Sequence, residues 1–290
     1  MTTSRTDLLA PATGMGAVTL RVADLDRMIA YYRDGVRLQV LAQDGGRATL
    51  GRTGRPIVIL EHAPALKHAE PGSAGLFHTA ILFETRADLA ASLYSVATRY
   101  PNTFTGSADH LVSIAFYLTD PAGNGVELYW DRNRTEWSWT HGRIEMATLH
   151  VDPNAFLREN VAQRALDEAE RRPGAVGHVH LSVGDVDSAR SFYVERLGFA
   201  TTAEMPGSAL FVSAGGYHHH MAMNVWGSRG AGRRAPGLGL GLVRIEVPTG
   251  DDLGALTERM RHYGVATEDD GRTVGFEDPW ANRIEVVAAL

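Results

Sequence analysis

Hydrophobic and polar residues alternate near the start of the chain, and the pattern that begins there recurs later. Val18, Leu20 and Val22 stand at every second position, as in a strand with one buried face. Asp24 and Asp26 follow and supply an N-cap and a first-turn acid for a helix. Three short strands separated by Gly, Pro or Asn turns come next. The stretch therefore predicts a unit with the order βαβββ.

This unit is repeated along the chain. A shift of 161 residues places 16–38 over 177–199, with seven identical positions that include two Asp residues and a Tyr. A shift of 158 places "DPAGNGVELYW" (120–130) over "DPWANRIEVVA" (278–288). An internal duplication of this kind is identified first, because the repeated unit determines how the rest of the fold is assigned. Each half divides into two βαβββ units, so the sequence predicts an α+β fold built from four units.

The unit boundaries predict three segments. We expect an N-terminal half over residues 1–131, a linker over 132–174 and a C-terminal half over 175–290. The linker contains the Trp-rich stretch "TEWSWTHG" and then "NAFLRENVAQRALDEAERR", whose charged amphipathic pattern predicts one helix that ends before Pro173.

Composition narrows the possible functions. The chain of 290 residues is 44% hydrophobic and carries 28 basic against 34 acidic residues, a formal net charge of −6. Since no dense basic block is present, we expect no nucleic-acid partner. No stretch approaches the roughly 18 apolar residues of a membrane span, and we expect a cytoplasmic protein. Because cysteine is absent, a metal would have to be held by histidine and carboxylate groups.

Two recurring motifs carry a resemblance to a known family. "V-x-D-x-D" precedes the first helix of each half, and "DPxGNxxE" precedes the last strand of the second unit. With the four βαβββ units, they resemble the vicinal oxygen chelate superfamily, which includes glyoxalases, antibiotic-resistance proteins and type I extradiol dioxygenases. The resemblance covers nearly all of the chain except the linker. It implies two pairs of units, each pair forming an open, barrel-like mixed sheet around a site for a divalent metal.

In that superfamily the metal ligands lie on the first and last strands of each unit. The corresponding positions of the first and fourth units hold residues that cannot bind iron as a set: Ala17, Ile59, Leu242 and Glu285. The second unit offers His78 and Glu127, and the third offers His178 and His220. We therefore expect the second unit to pair with the third, with the active site between them.

The resemblance implies a metal triad of His78, Glu127 and His178. Two imidazoles and a carboxylate leave open positions on a six-coordinate Fe²⁺ ion for a bidentate substrate and dioxygen. We expect Fe²⁺, with Mn²⁺ as the alternative. His220 is expected to face the cavity as an acid/base group. Strand alternation would place His218 on the same face, in contact with substrate, and His219 on the opposite face. His180 shares a strand face with His178 and is expected in the substrate pocket.

A second match is more specific. The stretch from His110 to Glu127 resembles the signature of extradiol ring-cleavage dioxygenases, with Tyr117, "DP" at 120–121 and Gly123 at the matching places. Ala108 departs from that pattern at its start. The resemblance implies that Glu127 is a ligand, that Tyr117 contacts a substrate oxygen and that His110 assists there. The chain is most similar to the catechol 2,3-dioxygenase branch.

These features predict an extradiol dioxygenase that cleaves a catechol-type diol with O₂. Two alternatives remain open at this point: a binding or resistance protein of the same fold without chemistry, and a glyoxalase-like isomerase. Exposed sheet edges of the first and fourth units also predict a possible homodimer.

Overall fold

A computed structural model describes residues 8–289 of the chain. Residues 1–7 and 290, which belong to the two predicted halves, lie outside that range. The four units follow one another in the predicted order. The first half contains β1 (Gly14–Val22), α1 (Leu25–Ala30), β2 (Gln39–Asp44), β3 (Arg47–Arg52), β4 (Arg55–His62), β5 (Gly75–Phe83), α2 (Arg86–Arg99), β6 (Phe104–Asp109), β7 (Ser113–Thr119) and β8 (Gly125–Asp131).

The linker and the second half complete the chain. The linker contains β9 (Trp139–Thr140), β10 (Arg143–Ile144), α3 (Pro153–Asn160) and α4 (Gln163–Glu168). The second half contains β11 (Gly174–Ser182), α5 (Val186–Arg190), β12 (Ala200–Met205), β13 (Ala209–Ser213), β14 (Met221–Asn224), β15 (Gly239–Val247), α6 (Gly250–His262), β16 (Glu268–Asp269), β17 (Thr273–Glu277) and β18 (Arg283–Ala288). Helices α1 and α5 each continue as a short π-helix, over Tyr31–Gly35 and Ser191–Arg196.

The strands form two mixed eight-stranded sheets, and each sheet joins units from opposite halves. The outer sheet has the order β16-β17-β18-β15-β1-β4-β3-β2 and so joins the fourth unit to the first. The inner sheet has the order β12-β13-β14-β11-β5-β8-β7-β6 and joins the third unit to the second. The predicted α+β fold with crossed pairing of the units is confirmed.

Sequence patterns explain why these elements form. Val18, Leu20 and Val22 of β1 are fully buried, as their alternation predicts. The side chain of Asp24 accepts a hydrogen bond from the backbone N–H of Arg27 at 3.0 Å, which caps α1. The antiparallel pairs β1–β15 and β5–β11 close the two sheets across the duplication.

The two Asp-Pro turns, at 120–121 and 278–279, link neighbouring units within each half. The Tyr32 hydroxyl donates to Asp120 at 3.0 Å, and the Tyr193 hydroxyl donates to Asp278 at 2.8 Å. Both tyrosines and both aspartates are buried. A buried hydroxyl needs a partner, so the helix of one unit is fixed to the last hairpin of the next. The duplicated Tyr and Asp positions therefore hold each half together.

The linker differs from its prediction. The single helix expected over "NAFLRENVAQRALDEAERR" is wrong, because Val161 and Ala162 adopt extended backbone conformations and separate α3 from α4. Asp152 caps α3 with Pro153 in its first turn. Within residues 8–289, no helix combines the length and the apolar character needed to cross a bilayer.

Candidate metal centre and adjoining cavity

Three neighbouring strands of the inner sheet bring the predicted triad together. Strand β5 lies between β11 and β8, and its residue Ala80 is paired with His178 on one side and with Glu127 on the other. His78 lies two residues before Ala80, so its side chain points to the same face of β5. Since Ala80 has only a methyl group, the space above it is left to the three longer side chains.

The three polar ends converge on one point. Oε2 of Glu127 lies 3.0 Å from Nε2 of His78 and 3.2 Å from Nε2 of His178. The two Nε2 atoms lie 3.3 Å apart. All three residues are buried. Ligand atoms bound to one ion at roughly 2.1 Å lie about 3 Å apart at adjacent corners of an octahedron. The spacing of these donors therefore fits a shared divalent cation.

The charge states of Glu127 and His178 are those that bind a cation. Burial raises the pKa of Glu127, but the His178 and His78 imidazoles outweigh burial and hold the pKa of this carboxyl well below its usual range. Burial lowers the pKa of His178 to about 4, against the opposing effect of Glu127. An ionised carboxylate beside a neutral imidazole is the ligand form that metals require.

A cavity of about 950 Å³ opens beside the triad. Its walls come from both inner units and from the linker, which contributes Arg143, Ile144, Met146, Ala147 and Thr148. The linker therefore forms part of the pocket wall and does more than connect the halves. A volume of this size is ordinary for a small-molecule site.

His110 and Tyr117 line this cavity as a bonded pair. Nδ1 of His110 lies 2.7 Å from the carbonyl oxygen of Ala147, and its Nε2 lies 2.6 Å from the Tyr117 hydroxyl. Because a carbonyl only accepts, Nδ1 carries the proton and Nε2 accepts from Tyr117. Burial, and then the charge of Glu127, raise the pKa of Tyr117 well above its ordinary value. The phenol is therefore neutral and holds its oxygen near the metal ligands.

His180 also lines the cavity, as predicted for a pocket residue. Its Nε2 accepts a hydrogen bond from Nδ2 of Asn224 at 3.0 Å. The ring packs between Phe77, at 4.9 Å between centroids, and Trp226, at 5.4 Å. Burial lowers the pKa of His180 well below its ordinary value. His180 thus belongs to a neutral aromatic wall.

The histidine triplet is oriented differently from the prediction. His219, expected to point away, lines the cavity, and its ring centroid lies 4.1 Å from that of His178. His220 lies outside the cavity lining, where its Nδ1 accepts from the backbone N–H of Ala214 at 3.2 Å. His218 lies behind the wall, with Nε2 3.0 Å from Oδ1 of Asp131. The expected placements of His220 and His218 in the cavity are therefore wrong.

The physical reason is a turn. Gly215 and Gly216 both have positive φ, at 62° and 70°, and strand β14 begins only at Met221. The triplet therefore precedes the strand, and side-chain alternation with period 2 does not apply to it. The "GG" immediately before "YHHH" was the signal in the sequence that could have shown this.

A second histidine group adjoins the first. Nitrogen atoms of His178, His218 and His219 lie within 4.8 Å of one another. Nδ1 of His218 and Nδ1 of His219 are 2.7 Å apart, and Nε2 of His218 is held by Asp131. Since this group has no carboxylate to offset the charge of a divalent cation, the triad with Glu127 is the better cation site.

Comparison with known proteins identifies the family. Residues 14–128 and 175–286 match the model of the Glyoxalase/Bleomycin resistance protein/Dioxygenase superfamily. Because the matched segments cover most of both halves, the chain belongs to this superfamily. The match confirms the resemblance drawn from the duplicated units.

Individual relatives agree with this assignment. The chain is 36% identical over 276 residues to a catechol-2,3-dioxygenase of Bacillus subtilis strain 168, an alignment that covers 92% of this chain and 94% of the relative. Its fold is similar to glyoxalase I of Zea mays, with a TM-score of 0.56 and 16% identity over 96% of this chain and 92% of that one. It is also similar to a Bacillus subtilis protein described only provisionally as a dioxygenase, with a TM-score of 0.63 and 13% identity over 95% and 84% of the two chains.

Proposed function

We propose that this protein is an extradiol dioxygenase that opens a catechol-type ring with O₂ at a metal held by His78, Glu127 and His178. The observation that carries the proposal is the convergence of their three donor atoms within 3.3 Å of one another beside a cavity. The similarity to a catechol-2,3-dioxygenase over 92% of the chain supports the same reaction class.

Fe²⁺ fits this donor set best among the metals considered, with Mn²⁺ as the alternative. Two imidazoles and one carboxylate on a single face are the ligands of non-haem ferrous oxygenases. When bound, the ion supplies a Lewis acid for the diol and an open position for dioxygen. The chain itself supplies orientation, a dry pocket and proton transfer.

His219 is the proton-transfer group in this proposal, in place of His220. Its ring lies against His178 in the cavity wall. Within residues 8–289, its ring takes part in one hydrogen bond, between its Nδ1 and His218. Nε2 is therefore free to accept a proton from a substrate hydroxyl and to return it when the ring opens.

Tyr117 and His110 orient the diol. Since the Tyr117 proton is directed to Nε2 of His110 at 2.6 Å, the phenol oxygen has lone pairs for a substrate hydroxyl. Its ring centroid lies 5.7 Å from that of His78, close to the ligand group. The pair therefore fixes one oxygen of the substrate without adding a charge to the site.

The proposal is tested by supplying catechol and O₂ to protein prepared anaerobically and loaded with Fe²⁺. One O₂ should be consumed per catechol, with formation of a yellow ring-opened product. An isomerase would convert a hemithioacetal without oxygen uptake, and a binding protein would retain catechol unchanged. Either of those results would overturn the proposal. The cytoplasmic location and the homodimer stay predictions. The mass of the protein in solution checks the homodimer.

A further inference from the structure

Three hydrogen-bonded side chains form a file that runs from the cavity wall to the half-buried Asp131 at the C-terminal end of β8. Nδ1 of His219 lies 2.7 Å from Nδ1 of His218. Nε2 of His218 lies 3.0 Å from Oδ1 of Asp131. Asp131 also lines a second depression, with Thr53, Arg55 and Glu84. None of these contacts is needed to hold a metal.

With both imidazoles neutral, the chemistry of each atom fixes where the protons lie. A carboxylate only accepts, so Nε2 of His218 carries hydrogen and donates to Asp131. In a neutral imidazole the other nitrogen is then an acceptor, and this is Nδ1 of His218. Nδ1 of His219 must therefore be the donor in the contact between the two rings. His219 is left with an unprotonated Nε2, the nitrogen that has no partner within residues 8–289.

The surroundings hold this file in one arrangement. The His218 ring is fully buried and packs on Tyr217 at 4.1 Å and Trp137 at 5.4 Å between centroids. The Tyr217 hydroxyl donates to Oδ2 of Asp131 at 2.7 Å. The carboxylate therefore has a donor on each oxygen, and His218 cannot rotate without losing both its bond and its packing.

We propose that Asp131 and His218 are positioning residues that hold His219 in the tautomer with Nδ1 protonated and Nε2 bare. This inference rests on the proposed function, because the bare Nε2 matters as an acceptor for the substrate proton. Asp131, at the C-terminal end of β8, acts on His219 through the His218 ring. This one carboxylate therefore determines which nitrogen of His219 is unprotonated. In this arrangement His219 accepts the substrate proton, His218 connects His219 to Asp131, and His220 lies outside the cavity lining.

The tautomer is measured directly by ¹⁵N NMR of the full-length chain with ¹⁵N-labelled histidine and diamagnetic Zn²⁺ bound. The signals of His218 and His219 are assigned by their loss in His218→Phe and His219→Asn among the 12 histidines. We expect His218 protonated at Nε2 and His219 protonated at Nδ1. A wild-type spectrum in which the assigned His219 signal shows protonation at Nε2 would overturn the proposal.

His218→Phe tests the dependence of one ring on the other, since phenylalanine keeps the packing and removes both nitrogens. We expect His219 to gain Nε2–H character, kcat to fall by about 10² or more, on the scale of acid–base catalysis, and KM for catechol and metal content to stay nearly unchanged. Tyr217→Phe is the matched control, because it removes the hydroxyl bonds to Asp131 and Tyr129 but none of the contacts among His219, His218 and Asp131. Its tautomers should be those of the wild type.

The outcomes separate this inference from the proposed function. If the His219 tautomer is unchanged in His218→Phe, the positioning role is wrong even when the wild-type protein cleaves catechol. A second outcome is that the tautomers are as expected but the wild-type protein consumes no O₂ with catechol. The hydrogen-bonded file then exists, and the proposed function is overturned together with the catalytic role of the file.

Discussion

Nε2 of His78 and Nε2 of His178 lie 3.3 Å apart, although 100 residues separate them in the chain. They meet because β5 of the second unit and β11 of the third are antiparallel neighbours in the inner sheet. The duplication thus creates a site that neither half contains alone, since each half supplies one of the two imidazoles. The one carboxylate, Glu127, comes from the N-terminal half.

Replacement of Glu127 by glutamine should abolish tight metal binding. The amide removes the negative charge that offsets the cation, so we expect the affinity for Fe²⁺ to fall by at least roughly 100-fold. Loss of a residue that only supports a metal ligand already lowers metal affinity by up to about 100-fold. Glu285→Gln is the matched control, because Glu285 occupies the equivalent strand position of the outer sheet and is paired with Arg244 at 2.9 Å. Titration of both variants with Fe²⁺ under nitrogen measures the difference. Equal losses in the two would contradict the assignment.

Two neighbouring asparagine variants separate the roles within the histidine triplet. His219→Asn keeps a donor near the position of Nδ1 and removes Nε2, so kcat should fall by about 10² to 10⁴, as for loss of an acid–base group. His220→Asn keeps an acceptor for the backbone N–H of Ala214 and should leave kcat nearly unchanged, because this residue lies outside the cavity lining. Steady-state oxygen uptake compares them. The reverse order of effects would restore His220 as the proton carrier.

His220 should instead affect stability at acidic pH. Burial lowers its pKa to about 3 in the folded protein, below the ordinary histidine value of about 6.5. As pH falls from about 6.5 toward 3, the unfolded chain binds a proton at this position and the folded chain does not, so His220 contributes a loss of stability of up to about 1.4 kcal/mol per pH unit.

The free energy of unfolding of wild-type protein and His220→Asn, measured by urea denaturation between pH 7 and pH 4.5, isolates this contribution. Other buried histidines contribute equally to both proteins, and the difference therefore belongs to His220. The stability advantage of the wild type over the variant should shrink as pH falls. A difference that is constant with pH would show that His220 is accessible to protons in the folded state.

The cavity should favour catechols with an uncharged, apolar substituent. Beyond the ligand group its wall includes Phe77, Met205 and Trp226, and Arg143 is the one Lys or Arg side chain that lines it within residues 8–289. Arg143 is paired with Glu204 at 3.5 Å. A ring carboxylate would therefore lose hydration without gaining a free cation.

Comparison of 4-methylcatechol with 3,4-dihydroxybenzoate checks this expectation. We expect kcat/KM to be at least about tenfold higher for the methyl compound, equivalent to about 1.4 kcal/mol. Arg143→Gln should leave the ratio unchanged. Preference for the carboxylate, lost in Arg143→Gln, would identify Arg143 as a carboxylate receptor instead.

The features that depend on the internal repeat were predicted from the sequence. The orientation of the histidine triplet was predicted wrongly, because a turn precedes the strand there. The shift of 161 residues revealed the units, and the ligand positions pointed to the crossed pairing that the sheets show. The position of His219 in the cavity wall was missed because strand alternation was extended through Gly215 and Gly216, whose positive φ places the triplet in a turn. Asp131 was missed because its partner, His218, lies 87 residues away and no local pattern relates the two.

Iron-edge anomalous diffraction from crystals of anaerobically loaded protein tests the metal centre most directly. We expect one peak per chain, within bonding distance of Nε2 of His78, Nε2 of His178 and a carboxylate oxygen of Glu127. A peak among His178, His218 and His219, or none at either position in iron-loaded crystals, would contradict the proposed centre.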